Sequence, residues 1–142
     1  MKFLVKFFLS AFLVFSVPLD VSAQEDVVVT KQYDDGGMYE GTFKNGLQHG
    51  IGTYRLPNGY EYSGEWVDGQ ILGVGVAKFP NGSVYEGNFI KGKPEGSGKI
   101  VFADGGTYEG TWLDGKITGQ GVAVYANGSR SVSYTHLRAH ET

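Results

Sequence analysis

A period of 23 residues runs through the middle of this chain and constrains its fold more than any other feature. Each repeat has a tyrosine, a glycine two residues later and a large aromatic residue after two more. A second glycine follows three residues on, and a Gly-x-Gly pair closes the repeat. The tyrosines are Tyr39, Tyr62, Tyr85 and Tyr108, and the second aromatic residues are Phe43, Trp66, Phe89 and Trp112. Because a fixed period of this size is typical of repeat architectures, the chain predicts an array of similar units.

Within each repeat, apolar and polar residues alternate, which predicts β-strands. In the first repeat the strands are predicted near residues 39–44 and 50–56, with residues 45–49 as the loop between them. Asn-Gly or Asp-Gly pairs suit these loops because glycine adopts the positive φ that tight hairpins require. A second turn, at residues 58–59 in the first repeat, joins each hairpin to the next. The predicted fold is all-β, an elongated single-layer antiparallel sheet of about nine strands.

One face of this predicted sheet carries the aromatic residues, with glycines between them. Glycines there leave room for the rings to lie flat over the neighbouring strand, which recovers stability that glycine otherwise loses in a strand. We interpret this aromatic ladder mainly as the core and secondarily as a candidate ligand-binding face. Its members are Tyr39, Phe43, Tyr62, Trp66, Tyr85, Phe89, Tyr108 and Trp112.

The pattern Tyr-x-Gly-x-aromatic-x-x-Gly-x-x-x-Gly-x-Gly, in register from Gly36 to Gly128, resembles the MORN repeat (membrane occupation and recognition nexus). The four units are residues 37–59, 60–82, 83–105 and 106–128, and the chain resembles an exported bacterial type. The family's histidine before Gly-x-Gly is matched only by His49, since Leu72, Glu95 and Thr118 replace it. The resemblance implies an elongated, twisted sheet that acts as a scaffold for binding or dimerisation.

The segment before the repeats predicts export. Lys2 and Lys6 precede an apolar run at residues 7–17 that is too short to span a bilayer. Small residues then predict signal-peptide cleavage between Ala23 and Gln24, although an uncleaved anchor is the alternative. Residues 1–23 are therefore predicted to be a signal peptide and residues 24–36 a linker with a capping strand. The expected location is periplasmic or secreted.

The last twelve residues, 131–142, break the period. Residues 132–142 match one reading frame of a common transposase adapter from sequencing libraries, and Ser131 stands where the next tyrosine is due. We therefore expect this tail to be an artefact and the array, residues 37–130 here, to be truncated. His136, His140 and Glu141 have a spacing typical of metal ligands, but we discount them on the same ground.

The composition excludes several classes of chemistry. The chain has no cysteine, so disulfides and thiolate metal sites are absent. No Ser/His/Asp set can be assembled without the suspect tail, and we predict neither catalysis nor any metal or cofactor. Residues 24–130 contain nine Lys or Arg and thirteen Asp or Glu, without a basic cluster. Nucleic acid is therefore not an expected partner, because it requires basic patches.

We accordingly predict a non-enzymatic exported scaffold that mediates protein binding or self-association. One alternative is a cell-surface or membrane-associated module that uses the aromatic face to bind a glycan, a lipid headgroup or a quaternary amine. Another alternative is that the repeats are an accessory region of a longer enzyme. Binding partners are thus expected to be protein or self, with membrane or glycan possible.

Overall fold

The computed structural model describes residues 26–132, which form one open antiparallel sheet of ten strands in sequence order. This arrangement confirms the predicted all-β, single-layer fold. The strands are β1 (Val29–Gln32), β2 (Met38–Lys44), β3 (Leu47–Arg55), β4 (Glu61–Val67), β5 (Gln70–Lys78), β6 (Val84–Ile90), β7 (Lys93–Val101), β8 (Thr107–Leu113), β9 (Lys116–Val124) and β10 (Arg130–Val132).

The hairpin loops contain two residues each, so the loop predicted at residues 45–49 was too long. In the first repeat, Asn45 (φ 52°) and Gly46 (φ 78°) form the loop and β3 begins directly at Leu47. Positive φ at both loop residues is the geometry of a type I′ turn, whose twist matches that of the flanking strands. Lys91 (φ 50°) occupies the first loop position of the third repeat, where Asn or Asp stands in the other three.

Each hairpin contains a β-bulge that the alternation pattern did not predict. In β4 and β5, Gly64 pairs with Gly75 and Trp66 pairs with Ile71, so one residue of β4 lies opposite three of β5. Gly73, with φ 107°, is the first glycine of the Gly-x-Gly pair and lies within this bulge. The bulge explains why β5 is two residues longer than β4, although the two strands flank the same hairpin loop.

The two ends of the sheet differ from the repeats. At the beginning, β1 pairs with β2 through register partners such as Lys31 and Tyr39. At the other end, β10 pairs with β9, and it includes Ser131 and Val132. The expectation of about nine strands therefore missed β10, because strand pairing uses backbone groups and does not require the repeat's side chains. The remainder of the predicted adapter segment lies outside the described residues.

The core lies on one face of the sheet. Its buried apolar residues are Tyr39, Tyr62, Trp66, Ala77, Tyr85, Phe89, Ile100, Tyr108, Trp112 and Ala123. Alternation places the odd and even residues of a strand on opposite faces, so β4 buries Tyr62 and Trp66 while Ser63, Glu65 and Val67 are exposed. The opposite face of the sheet is not covered by any other element within residues 26–132.

Candidate functional site

The four repeat tyrosines pack flat against glycines of the adjoining strand. Tyr85 is fully buried, and a Cβ on Gly98 would lie only 2.1 Å from its hydroxyl oxygen and 2.4 Å from its ring. The Tyr85 hydroxyl donates a hydrogen bond to the carbonyl of Asn88 at 3.0 Å. Tyr39, Tyr62 and Tyr108 make the equivalent contacts and hydrogen bonds in their own repeats. These rings therefore serve the packing of each hairpin.

The second aromatic residues connect one repeat to the next through edge-to-face contacts. The ring of Trp112 lies 5.0 Å from Tyr85 and 5.7 Å from Tyr108, centroid to centroid. Its indole Nε1–H donates to the carbonyl of Gly98 at 3.2 Å. Trp66 repeats this arrangement between Tyr39 and Tyr62, and donates to Gly52 O at 3.1 Å. Phe89 bridges repeats in the same way, whereas Phe43 is only partly buried.

Burial raises the pKa of the core tyrosines. The pKa of Tyr85 is raised to about 12, chiefly because burial disfavours the phenolate, with partial opposition from its hydrogen bond to Asn88. Burial raises the pKa of Tyr62 further still. These hydroxyls are neutral donors at ordinary pH and make no reactive phenolate.

A groove opens on the aromatic face, near the start of the array. It has a volume of about 450 Å³. Its lining residues are Tyr33, Asp35, Gln48, Tyr54, Tyr60, Trp66, Gly69, Gln70, Ile71, Lys91 and Gly92. Of the eight predicted ladder residues, only Trp66 lines this groove. Both Tyr33 and Asp35 fall in the predicted linker and capping strand, residues 24–36, and neither was predicted to be a site residue.

Three aromatic rings form the walls of the groove at its Asp35 end. Tyr33 and Tyr54 lie 6.2 Å apart with their planes at 76°, and Tyr54 and Trp66 lie 6.2 Å apart at 80°. The Asp35 carboxylate accepts hydrogen bonds from Gly37 N at 2.8 Å and from the Tyr54 hydroxyl at 3.4 Å. Burial, and then the charge of Asp35, raises the pKa of Tyr33 and of Tyr54. The groove therefore combines the half-buried rings of Tyr33 and Tyr54 with a negative charge.

The histidine position of the repeat has a local structural role here. His49 Nδ1 accepts a hydrogen bond from the backbone N–H of Asp68 at 3.3 Å, in the loop of the next hairpin. Glu95 occupies the same position two repeats later, and its carboxylate accepts from Asp114 N at 2.7 Å. Side chains of different type thus hold neighbouring hairpin loops together.

A polar residue lies three positions after each repeat tyrosine, and its structural role was not predicted from the sequence. Its side chain binds the backbone of the bulge: Thr111 Oγ1 donates to Thr118 O at 2.6 Å, and Asn88 Nδ2 donates to Ser97 O at 3.2 Å. Thr42 donates to His49 O, and Glu65 accepts from Val74 N–H. The signal available was the 23-residue spacing of these four polar residues.

Five residues considered in the sequence analysis lie outside the described part of the chain: Ala23, Gln24, His136, His140 and Glu141. Between residues 26 and 132, no three His, Cys, Asp or Glu side chains are grouped so as to hold a metal ion. Within the same range, no helix is long and apolar enough to cross a membrane.

The family model described as MORN repeat matches residues 39–59, 62–84, 85–107 and 108–130 of this chain. No curated protein matched the chain. Solved structures did match, among them the TCP domain of SAS-4 (dCPAP) of Drosophila melanogaster in complex with a proline-rich motif of Ana2 (dSTIL). That match has 16% identity and a TM-score of 0.49, and covers 77% of this chain and 60% of that one.

Proposed function

Because the chain belongs to the MORN-repeat family, we propose that it is an exported, non-enzymatic scaffold that binds a partner protein or a second copy of itself. The observation that carries this proposal is a repeated exposed apolar position on the open face of the sheet. Val67, Ile90 and Leu113 are 37%, 48% and 58% exposed, and each directly precedes a hairpin loop. We call these three residues the aliphatic row.

The aliphatic row has the regularity that a protein contact uses. Its members are 23 residues apart in sequence and two strands apart in the sheet, which is about 10 Å at the usual strand spacing. Isolated apolar side chains on a surface mean little, but a regularly spaced series on an uncovered face supports an interaction surface. Ile51 and Val74, at 65% and 57% exposed, extend the same apolar surface from neighbouring strands.

Site-specific photo-cross-linking tests the proposal. A photoreactive amino acid placed at Ile90, in cells that produce the protein, is expected to yield a cross-linked protein or a dimer of this chain. The same amino acid at Glu109, which is exposed on the same face, is the matched control. Sedimentation velocity of the Ile90→Ser/Leu113→Ser variant then shows whether any self-association depends on the row. A monomer that cross-links to nothing from position 90 contradicts the proposal.

The proposed export is supported by the charged and apolar pattern of residues 1–23. Cell fractionation and intact mass measurement test it. The expected product begins at Gln24 and lies outside the cytoplasm. A full-length product that starts at Met1 and stays in the cytoplasm would contradict export, without bearing on the binding surface.

The groove on the aromatic face favours a second function, that of a cell-surface ligand module. Its half-buried tyrosine rings and the exposed Asp35 carboxylate support a binding role that the fully buried repeat tyrosines do not. Titration of candidate ligands with tryptophan fluorescence as the readout tests it, because Trp66 lines the groove. The other alternative, an accessory region of a longer enzyme, is tested by resequencing the gene beyond codon 130.

A further inference from the structure

We infer that Asn45 is a site of spontaneous deamidation in the folded protein, where it becomes aspartate or isoaspartate. An asparagine followed by glycine occurs four times in the chain, at Asn45, Asn58, Asn81 and Asn127. The fold leaves the first of these pairs open and protects the other three. The inference goes beyond the proposed binding function and does not depend on it, because the reaction needs no partner.

The reaction takes place within the Asn-Gly pair. The glycine N–H gives its proton to hydroxide, and the nitrogen attacks the side-chain carbon Cγ of the asparagine. As the N–Cγ bond forms, the Cγ–Nδ2 bond breaks, and Nδ2 takes a proton from water and leaves as ammonia. Water then hydrolyses the succinimide ring at either carbonyl, which gives aspartate or isoaspartate. Glycine favours the attack because it has no Cβ to obstruct it.

The three protected pairs lie in the turns that join one hairpin to the next. Asn58 Oδ1 accepts a hydrogen bond from Tyr60 N at 2.9 Å, and Gly59 N donates to a backbone carbonyl at 3.1 Å. Asn81 and Asn127 make the same two kinds of hydrogen bond, at 2.8–2.9 Å. Each turn therefore holds the asparagine side chain in one orientation and stabilises the N–H that must lose its proton.

Asn45 lies in the loop of the first hairpin, and this loop differs from those of the later hairpins. Gly69, in the next loop, donates its N–H to Gln48 O of the preceding hairpin at 2.8 Å, and the glycines of the two following loops do the same. Within residues 26–132, no hairpin precedes the first one. In that range, neither the Asn45 side chain nor the Gly46 N–H makes a hydrogen bond, and both residues are exposed.

The two products affect the loop differently. Aspartate fits it, because Asp68 and Asp114 occupy the same position in later hairpins with φ of 48° and 51°. Isoaspartate carries the backbone through its side chain and so adds one carbon atom to a loop of two residues. Because the length of a hairpin loop fixes the register of its strands, isoaspartate is expected to disturb the pairing of Lys44 with Leu47.

Incubation of the folded protein, expressed from its full coding sequence, in mildly alkaline buffer tests the inference. Trypsin separates the four Asn-Gly pairs onto different peptides, and mass spectrometry follows the replacement of NH2 by OH in each. Asn45 is expected to convert at least about tenfold faster than the other three, because each of those is held by two hydrogen bonds. In urea, where the fold is lost, the four rates should agree within about twofold.

Lys91→Asn is the matched control, because it creates a second Asn-Gly pair in a hairpin loop of the same conformation. There Gly92 N donates to Ile71 O at 3.1 Å, which Gly46 has no counterpart for within residues 26–132. The introduced asparagine should therefore convert about fivefold more slowly than Asn45. Far-UV circular dichroism confirms that this variant folds.

Several results overturn the inference. They are equal rates at the four pairs in the folded protein, faster conversion at any of the three turn asparagines, or equal rates at Asn45 and at the asparagine of Lys91→Asn. Aspartate as the sole product at position 45 would contradict the succinimide route, since direct hydrolysis of the amide gives no isoaspartate.

Discussion

At the scale of single residues, the array depends on aromatic rings that occupy the space that glycines leave free. The Tyr85 ring lies where a Cβ of Gly98 would be, and the same pairing recurs for Tyr62 with Gly75. Because the strand below each ring has no side chain, the ring is buried within a sheet that has only one layer. This pairing gives a single-layer sheet a core of its own.

Replacing Gly98 by alanine is expected to destabilise the protein by about 3 kcal/mol, because the added methyl group displaces the Tyr85 ring. The control is Gly105→Ala, since a Cβ at Gly105 meets no atom and only its positive φ opposes alanine. That conformation costs about 1 kcal/mol. Urea unfolding, followed by circular dichroism, measures both. Equal losses would show that the ring does not depend on the glycine below it.

Trp112→Ala is expected to destabilise the protein by about 3–5 kcal/mol, because the indole is only 7% exposed and contacts two tyrosines. Trp112→Phe keeps much of the packing but loses the hydrogen bond to Gly98 O, so it should cost less than half as much. Equilibrium unfolding distinguishes the two variants. If Trp66→Ala and Trp112→Ala both keep full stability but lose a ligand, the ladder is a binding surface and not the core.

At the scale of the strand, each hairpin is held together at its bulge by a side chain of the first strand. Thr42, Glu65, Asn88 and Thr111 occupy equivalent positions and bind backbone groups of the longer second strand. A bulge leaves backbone groups outside the regular ladder, and a polar side chain opposite them supplies the missing partner. The identity of the side chain varies, because a hydroxyl, an amide and a carboxylate can each serve.

Thr111→Val is expected to destabilise the protein by about 1 kcal/mol, since it removes the hydrogen bond to Thr118 O while it keeps the shape of the side chain. Thr107→Val, on the same strand, is the control: Thr107 makes no side-chain hydrogen bond within residues 26–132 and lies beside Val101 and Val124. Thermal unfolding of both variants is the measurement. A larger loss in Thr107→Val would mean that the hydroxyl at 111 does not stabilise the bulge.

At the scale of the whole molecule, the repeats form one continuous stack in which each hairpin pairs with its neighbours in sequence. The edge-to-face chain from Tyr39 to Trp112 crosses every repeat boundary. In such arrays, stability is approximately the sum of the repeats and the interfaces between them. A change that acts on every repeat at once should therefore unfold the array cooperatively.

Alkaline pH is such a change. Burial raises the pKa of Tyr85 from its ordinary value of 10 to about 12 in the folded protein. The folded state thus binds the phenolic proton more tightly than the unfolded state. The stability linked to this group is intact below about pH 10 and is lost as the pH rises through about 12. Circular dichroism between about pH 8 and pH 13 should show unfolding in this range.

Tyr85→Phe is the control for this pH dependence, because phenylalanine keeps the ring and removes the titrating group. It should lose less stability between pH 10 and pH 12 than the unsubstituted protein, after correction for any difference at neutral pH. An unchanged loss would show that ionisation of the core tyrosines does not drive the transition.

The sequence by itself determined the repeated part of this protein. Alternation and the spacing of Tyr, Gly and Trp or Phe specify the strands, the turns and the buried face, because each interaction lies within one repeat or between adjacent repeats. Each interaction therefore requires the same residue types at the same positions every 23 residues. The polar residues opposite the bulges also recur every 23 residues, although their role became evident only from their backbone contacts.

Only the tertiary structure decided where the sheet forms a groove. Tyr33, Tyr54 and Lys91 come from three different parts of the chain, and no period relates them. The groove forms near β1, where the array departs from its repeat, and Tyr33 and Asp35 precede the first repeat. These side chains come together where the regular repetition of the hairpins ends. They can be identified only from their positions in the folded structure.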